Sequence, residues 1–418
     1  MRILYVAPAS FPITSSESIV NAKIAHVLAN MGHSVTVYAI DSYDTLYPDS
    51  SSSIVQLQHS NLHIRNIKLK SNRSILQRVL NRVKWISVYI KTGYYYKSNH
   101  IAYSIMTTVE KDIKQGDVFD LMITRGFYTE MAGIRIAKQY SIPWVANWND
   151  PYPLNNFPPP YGAGPNAPNT RSERKLMNEI QKYALKHTFP SSRLRDYMLS
   201  YLTNIEVSDT CVIPHIAHSK FFTPHTHIKH EKLKMIHAGN VAYPRDPSNF
   251  LKALSRLIHT PGYSNSIECV FIGQFSANCR KMIYELDLID IVTLKPSMSY
   301  NSIIDIQKQF DLSVIIEAIC EEGIYLPTKV ADSIQGALPI FCVSPQNGTQ
   351  HDLLNLYDIG YFSDNTDIDS IYHSLLKAVN DFWTGRLPII SMEKVPYFFE
   401  KYAEEQYERL FNEIPISH

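Results

Sequence analysis

The stretch "RILYVAPASFPITSSESIVNAKIAHVLANMGHSVTVYAI" occupies residues 2–40. It opens with RILYVAP, a short apolar run of the kind that lies in a buried parallel strand. Ile19, Ala22, Ile24, Val27 and Leu28 then recur at helical spacing, and Gly32 supplies a C-terminal cap. SVTVYAI (34–40) reads as a second strand. Strand, helix and strand in that order form a βαβ unit, which requires a right-handed crossover and a parallel sheet.

The same alternation runs through the rest of the chain. FDLMIT (119–124) and IPWVANW (142–148) are strand-like, with the helical EMAGIRIAKQY between them. LKMIHAG (233–239), IECVFIG (267–273), DIVTLKP (290–296), DLSVII (311–316) and LPIFCV (338–343) follow, most of them separated by helical runs. Alternation in both halves predicts an α/β chain of two doubly wound, Rossmann-like domains facing across a cleft. The proline- and histidine-rich segment CVIPHIAHSKFFTPHTHIKHEK (211–232) marks the join. The expected organisation is an N-terminal domain over 1–212, a linker over 213–232, a second domain over 233–385, and a helical tail over 386–418 packing back on the first domain. Open α/β sheets bind ligands at the carboxyl ends of their strands, so each domain brings one candidate site.

Composition narrows the function classes. A length of 418 residues calls for at least two cores, and the net charge of +1 argues against a dedicated nucleic-acid binder. Cys211, Cys269, Cys279, Cys320 and Cys342 are odd in number and scattered without a CxxC pair, which points to buried thiols in a reducing compartment. The N-terminus reads as a strand, not a signal peptide, and no run of about 18 apolar residues spans a membrane. The expected location is the cytoplasm. His215, His218, His225, His227 and His230 crowd the linker without an accompanying thiol or carboxylate set, so an exposed connection is expected there and no metal site.

Four segments carry a resemblance. MGHSVTVYA (31–39) resembles the turn after the first helix of GT-B glycosyltransferases, and VIPHIAHSKFFTP (212–224) is similar to their domain crossing. MIHAGNVAYPRDPSNFLKAL (235–254) resembles the first strand and loop of their donor domain. LPTKVADSIQGALPIF (326–341) looks like the P-S-K-x-x-[DE]-Y-x-x-x-G-x-P-I form of their donor-binding helix. Taken in order, these segments span nearly the whole chain and match best the retaining enzymes of family 4.

The resemblance implies a nucleotide-sugar donor and assigns roles. Pro327 and Thr328 open the helix whose start holds the donor diphosphate, and Lys329 adds a full positive charge there. Arg245, from the loop after HAGN, supplies a second cation, so that the pair neutralises the leaving diphosphate without a metal ion. Gly239 and Asn240 end a strand where backbone can approach phosphate. Asp332 matches the acidic residue that binds ribose hydroxyls, since a carboxylate accepts two hydrogen bonds at once. Simpler readings stand beside these: a solvated lysine, an ion pair of Arg245 with Asp246 or another acid, and a first-turn carboxylate on the helix dipole.

The pattern departs from the family in three places. The glycine pair of the first loop is replaced by TSSES (14–18), leaving Ser16 as a donor contact or the serines as helix caps. The first of two glutamates is displaced, with Ile324 at its place and Glu321 and Glu322 nearby; Glu322 is the expected donor contact. RGFY (125–128) stands where a histidine is usual, so Arg125 touches a substrate or pairs with Glu130. Asp150, in NWNDPYPLNN (147–156), is a candidate acceptor contact or a plain turn residue. No general base is apparent, which suits a retaining mechanism.

Residues 71–100, SNRSILQRVLNRVKWISVYIKTGYYYKSNH, contain six basic residues and no acid. Arg78, Arg82 and Lys84 interleave with Leu76, Val79, Leu80, Val83, Trp85 and Ile86, and Tyr94, Tyr95 and Tyr96 follow. That composition fits a basic amphipathic helix on an anionic membrane surface, where a polyprenyl-linked glycan acceptor would be met. A helix that covers the first sheet with a solvated basic rim fits it equally. The expected activity is sugar transfer from a nucleotide-diphosphate donor to a hydroxyl of a lipid-linked glycan in surface polysaccharide synthesis. The rivals are a catalytically inactive GT-B-like binding protein and a sugar-nucleotide epimerase of the same fold.

Overall fold

A computed structural model describes residues 1–11, 15–40, 57–68, 75–96, 99–126, 129–164, 169–224 and 231–415. Thr14, Phe127, Tyr128, His225, His227 and His230, and the ends of the basic stretch, lie outside the described residues. The chain divides into two compact units, one of residues 1–158, 162–214 and 401–418, the other of 159–161 and 215–400.

The first unit carries β1 (Arg2–Val6), α1 (Ser16–Asn30), β2 (Ser34–Ile40), β3 (Leu62–Ile67), α2 (Ile75–Thr92), α3 (His100–Lys114), β4 (Leu121–Thr124), α4 (Thr129–Tyr140), β5 (Trp144–Asn147), α5 (Arg171–Tyr183), β6 (Lys186–Phe189), α6 (Ser192–Leu199) and β7 (Thr210–Val212). Its strands are all parallel, in the order β3-β2-β1-β4-β5-β6-β7. Ile3, Leu4, Tyr5 and Val6 of β1 are fully buried, as a strand covered on both faces requires. Ser15 caps α1, its Oγ accepting from Ser18 N at 3.2 Å, and Gly32 at φ +86° turns the chain into β2.

The second unit carries β8 (Leu233–Ala238), α7 (Ser248–Ile258), β9 (Ile267–Ile272), α8 (Ala277–Glu285), β10 (Val292–Lys295), α9 (Tyr300–Gln307), β11 (Leu312–Ile316), α10 (Thr328–Gln335), β12 (Ile340–Ser344), α11 (Thr349–Tyr357), β13 (Gly360–Asp364) and α12 (Ile368–Trp383). Its sheet is parallel with the order β10-β9-β8-β11-β12-β13. Phe250, Leu254, Phe271, Val314 and Phe341 fill one of its cores. A last helix, α13 (Glu400–Asn412), places Tyr407 and Phe411 among the buried residues of the first unit.

In both sheets the winding reverses at one point, between β1 and β4 and between β8 and β11. Adjacent crossovers leave in opposite directions there, which opens a crevice at the carboxyl ends of the two strands. The functional side chains gather at these two points.

Four strands go beyond those read from the sequence: β3, β6, β7 and β13. Strand β6 (KHTF) is polar yet buried, because Trp148 Nε1 donates to His187 Nδ1 at 3.1 Å and Asn147 Nδ2 to Thr188 Oγ1 at 2.9 Å. The reading of the linker histidines as exposed needs correcting for two of them. His215 and His218 are buried, and His218 Nδ1 lies 2.8 Å from Glu400 Oε1.

Candidate functional site

At the reversal point of the second unit, β8 ends in Gly239 and Asn240. Gly239 takes φ +146°, and a Cβ there would overlap the end of the Lys329 side chain. Gly273, at the end of β9 with φ +150°, in turn abuts the Gly239 carbonyl. Two glycines thus let backbone and lysine pack where side chains would collide. Asn240 is spent on the turn, its Oδ1 accepting from Gln274 N at 3.0 Å.

Lys329 stands in the first turn of α10. Pro327 occupies the N-cap position with no side-chain cap and its carbonyl accepts from Val330 N at 3.0 Å, which leaves the amides of Thr328 and Lys329 at the helix mouth for an anion. The Lys329 ammonium has no hydrogen-bond acceptor among the described residues. Its pKa falls to about 8, chiefly through burial and then through the charge of Arg245, against the pull of Glu317 and Asp332. A desolvated ammonium facing another cation is a costly arrangement that an anionic ligand relieves.

Arg245 is held by an acid that sequence reasoning missed. Its Nε donates to Glu317 Oε1 at 3.2 Å, while Asp246 accepts from Ser248 N at 3.0 Å. Glu317 follows β11 directly and is buried; its Oε2 accepts from Tyr161 OH at 3.2 Å. The Arg245 guanidinium also lies 5.7 Å from the centre of the Tyr161 ring. One buried carboxylate and one aromatic ring therefore orient a guanidinium that is itself one-third exposed.

Asp332 is half-buried one turn into α10, and its Oδ1 accepts from Tyr300 OH at 2.7 Å. Burial and Asp332 together drive the Tyr300 hydroxyl well above its ordinary range, so it remains a donor. Glu322 sits in the loop between β11 and α10. That loop is anchored by Gly323 N to Asn347 O and by Thr349 N to Gly323 O, both at 2.8 Å.

The first unit has its own pocket at the β1/β4 reversal, lined by Glu17, Gly126, Glu130, Asn147, Trp148 and Asp150, among others. Glu17 comes from the first turn of α1, next to Ser16, which is exposed. Gly126 takes φ +94°, and a Cβ on it would run into the Glu17 carboxylate. Burial raises Glu17 to about 7, helped by Asp150 and opposed by Arg125. Burial likewise raises Glu130 to about 8, with Glu17 adding to it.

Arg125 is buried and does not pair with Glu130. Its Nε donates to Asn21 Oδ1 at 2.8 Å, one terminal nitrogen to Asn149 Oδ1 at 3.3 Å, and the other to Tyr407 OH at 3.5 Å. The structure thus brings together Gly239, Arg245 and Lys329 in one unit, and Arg125 and Asp150 in the other. Glu317, Tyr161, Glu17 and Glu130 are additions. The signal that could have found Glu317 is position: a charged residue directly after a buried strand at the sheet's reversal point.

No protein-family model matches the chain, and no curated protein matches it in sequence. Solved structures do. Anabaena HepE in complex with UDP and glucose is similar with a TM-score of 0.66 at 10% identity, over 99% of this chain and 100% of that one. Sucrose-phosphate synthase from Thermosynechococcus elongatus has a TM-score of 0.65 at 12% identity, over 99% and 98%. The lipopolysaccharide outer core galactosyltransferase WaaB, in its apo form, has a TM-score of 0.60 at 11% identity, over 99% and 100%. At such identities the likeness concerns the fold, and the fold is that of the GT-B glycosyltransferases.

Proposed function

We propose that this chain is a glycosyltransferase that binds a nucleoside-diphosphate sugar on its second unit. It would transfer the sugar to a hydroxyl of a glycan acceptor, lipid-linked and destined for a surface polysaccharide. The observation that carries the reading is Lys329: a desolvated ammonium beside Arg245, packed on Gly239, at the mouth of an uncapped helix. Such a cluster recognises a diphosphate and stabilises the charge that grows on it as the glycosidic bond breaks. The two side-chain cations supply there the charge that a metal ion supplies in other phosphate sites.

In this reading Glu317 and Tyr161 hold Arg245 in place, while Asp332 and Glu322 are the carboxylates for ribose and sugar hydroxyls. Transfer with retention fits a donor site where the leaving phosphate assists the incoming hydroxyl. The solved HepE structure with UDP and glucose makes uridine the first base to test. The direct experiment is thermal unfolding against a panel of nucleoside diphosphates, followed by turnover of labelled nucleotide sugars with a lipid extract. One diphosphate should raise the melting temperature; indifference to all of them would remove the assignment.

The acceptor surface is read from α2. Val79, Val83, Ile86 and Ile90 follow helical spacing and are 55%, 64%, 56% and 75% exposed. Only its other side is partly covered, by the contact of Trp85 with Tyr103, ring centres 5.1 Å apart. An exposed apolar stripe flanked by Arg78, Arg82, Lys84 and Lys91 is suited to the headgroup region of an anionic bilayer. Among the described residues no helix is long and apolar enough to cross a membrane, so attachment would be peripheral. Replacing Arg78 and Arg82 by Glu should release the protein from phosphatidylglycerol vesicles in a sedimentation assay. Unchanged sedimentation would dispose of the membrane reading and leave the donor site standing.

A further inference from the structure

The pocket of the first unit brings the acceptor oxygens of Glu17, Glu130, Asn147 and Asp150 beside Trp148, Asn149 and Tyr152. Glu17, Glu130 and Asp150 bring three carboxyl groups to it from α1, α4 and the segment after β5. Glu130 is only 2% exposed, and its Oε2 has no hydrogen-bond partner among the described residues.

A second observation does not depend on the acids. Asn147, at the end of β5, is 3% exposed and lines the same pocket. Its Nδ2 is committed to Thr188 Oγ1 at 2.9 Å, which fixes the amide orientation and leaves Oδ1 without a partner. Buried acceptors are rarely left unmet, and each costs stability when they are. The cation beside them, Arg125, already donates to Asn21, Asn149 and Tyr407. The Asn147 oxygen is therefore an acceptor open to a donor from outside.

An ionised carboxylate is acceptor-only and pairs best with a primary ammonium, which carries three donors and a full charge. A hydroxyl offers a single donor and no charge. We propose that the pocket lined by Glu17, Glu130, Asn147 and Asp150 binds a primary ammonium group, so that an amine-bearing sugar is the ligand class of the first unit. That this amine belongs to the acceptor rests on the transferase reading; that the pocket binds an amine does not.

The cost that burial and mutual repulsion place on ionising Glu17 and Glu130 points the same way. An ammonium between them restores their charge, whereas an uncharged sugar leaves them protonated. Gly126 completes the cradle, since any side chain there would displace the Glu17 carboxylate.

The test uses the full chain at neutral pH and three probes: D-glucosamine, N-acetyl-D-glucosamine and D-glucose. Binding is followed by calorimetry and by intrinsic tryptophan fluorescence, to which Trp148 in the pocket contributes. Glucosamine should bind at least about tenfold more tightly than the other two, as expected for a charge-assisted contact. The preference should vanish in Glu17→Gln and in Glu130→Gln, each checked for an intact unfolding transition. Asp150→Asn, at a half-buried position, should weaken it and serves if either glutamine variant fails to fold. Equal binding of the three probes, no binding at all, or a preference that survives the glutamine variants would overturn the proposal. UDP binding is measured in parallel on the same variants. Glucosamine selectivity without any nucleotide binding would keep the amine pocket and sink the acceptor assignment instead.

Discussion

Replacing Lys329 by Met should make the protein more stable and its nucleotide site weaker. Met keeps most of the aliphatic stem that lies over Gly239 and removes the charge. The environment lowers the ammonium from an ordinary 10.5 to about 8. That displacement corresponds to a ceiling of about 3 kcal/mol against the charged form. Lys329 is only half-buried, and solvent screening reduces the penalty, so a gain of about 1–2 kcal/mol in the second unit is the expected size. Against this, loss of a charge-assisted bond to a diphosphate costs about 1.5–3 kcal/mol of binding, or roughly 10- to 150-fold in Kd. Scanning calorimetry of the two proteins reads the first quantity and titration with UDP the second. Opposite signs mark a residue kept for binding at the expense of stability. If Lys329→Met melts lower than the parent and binds UDP equally well, the lysine is structural and the reasoning about it is wrong.

Gly239→Ala should damage the same site from the other side. The added Cβ meets Lys329 at a backbone φ of +146°, so a loss of at least about 1 kcal/mol of stability and of most UDP affinity is expected by melting and titration. UDP affinity should fall as pH rises through about 8, because Lys329 then loses its proton. Over the same rise, towards 10.5, the unliganded protein should gain stability from this group, since the unfolded chain still binds a proton that the folded one has lost. An affinity that is flat from pH 7 to 9 would contradict the assignment. His218→Ala should destabilise by about 1.5–3 kcal/mol in denaturant titration, since Glu400, 12% exposed, then keeps the two Ser219 donors but loses the imidazole. Burial opposes the charge of Glu400, yet the hydrogen bond and charge of His218 and the Ser219 donors hold it at about 2. Its contribution is therefore present above the ordinary carboxylate range and lost as pH falls towards about 2. An acid-unfolding curve unchanged in His218→Ala would refute this.

The fold was legible where strands are apolar and covered on both faces. RILYVAP, LMIT, LSVII and PIFCV betray themselves by composition, and Gly32 and the helix start at Pro327 mark boundaries that local chemistry alone dictates. KHTF and TCV are strands only because β5 and its neighbours offer them a ladder and because Trp148 and Asn147 satisfy their polar groups. Nothing within four residues of either announces that. At the site, Lys329 and Arg245 were visible as cations placed where an anion fits. Glu317 was not, because it lies 72 residues from Arg245 and 156 from Tyr161 in the chain. The acidic pocket was hidden for the same reason: Glu17, Glu130 and Asp150 meet only once β1, β4 and β5 are side by side. Arg125, read as a ligand or as a partner of Glu130, instead holds Asn21, Asn149 and Tyr407, the last of which no local pattern connects to it.

The measurement that bears most directly on the donor site is a crystal structure grown with UDP. The diphosphate should lie at the carboxyl ends of β8 and β11, with an oxygen about 3 Å from Lys329 Nζ and the Arg245 guanidinium turned towards it. A nucleotide bound elsewhere, or a diphosphate that both cations ignore, would contradict the assignment of Lys329 and Arg245 as its partners.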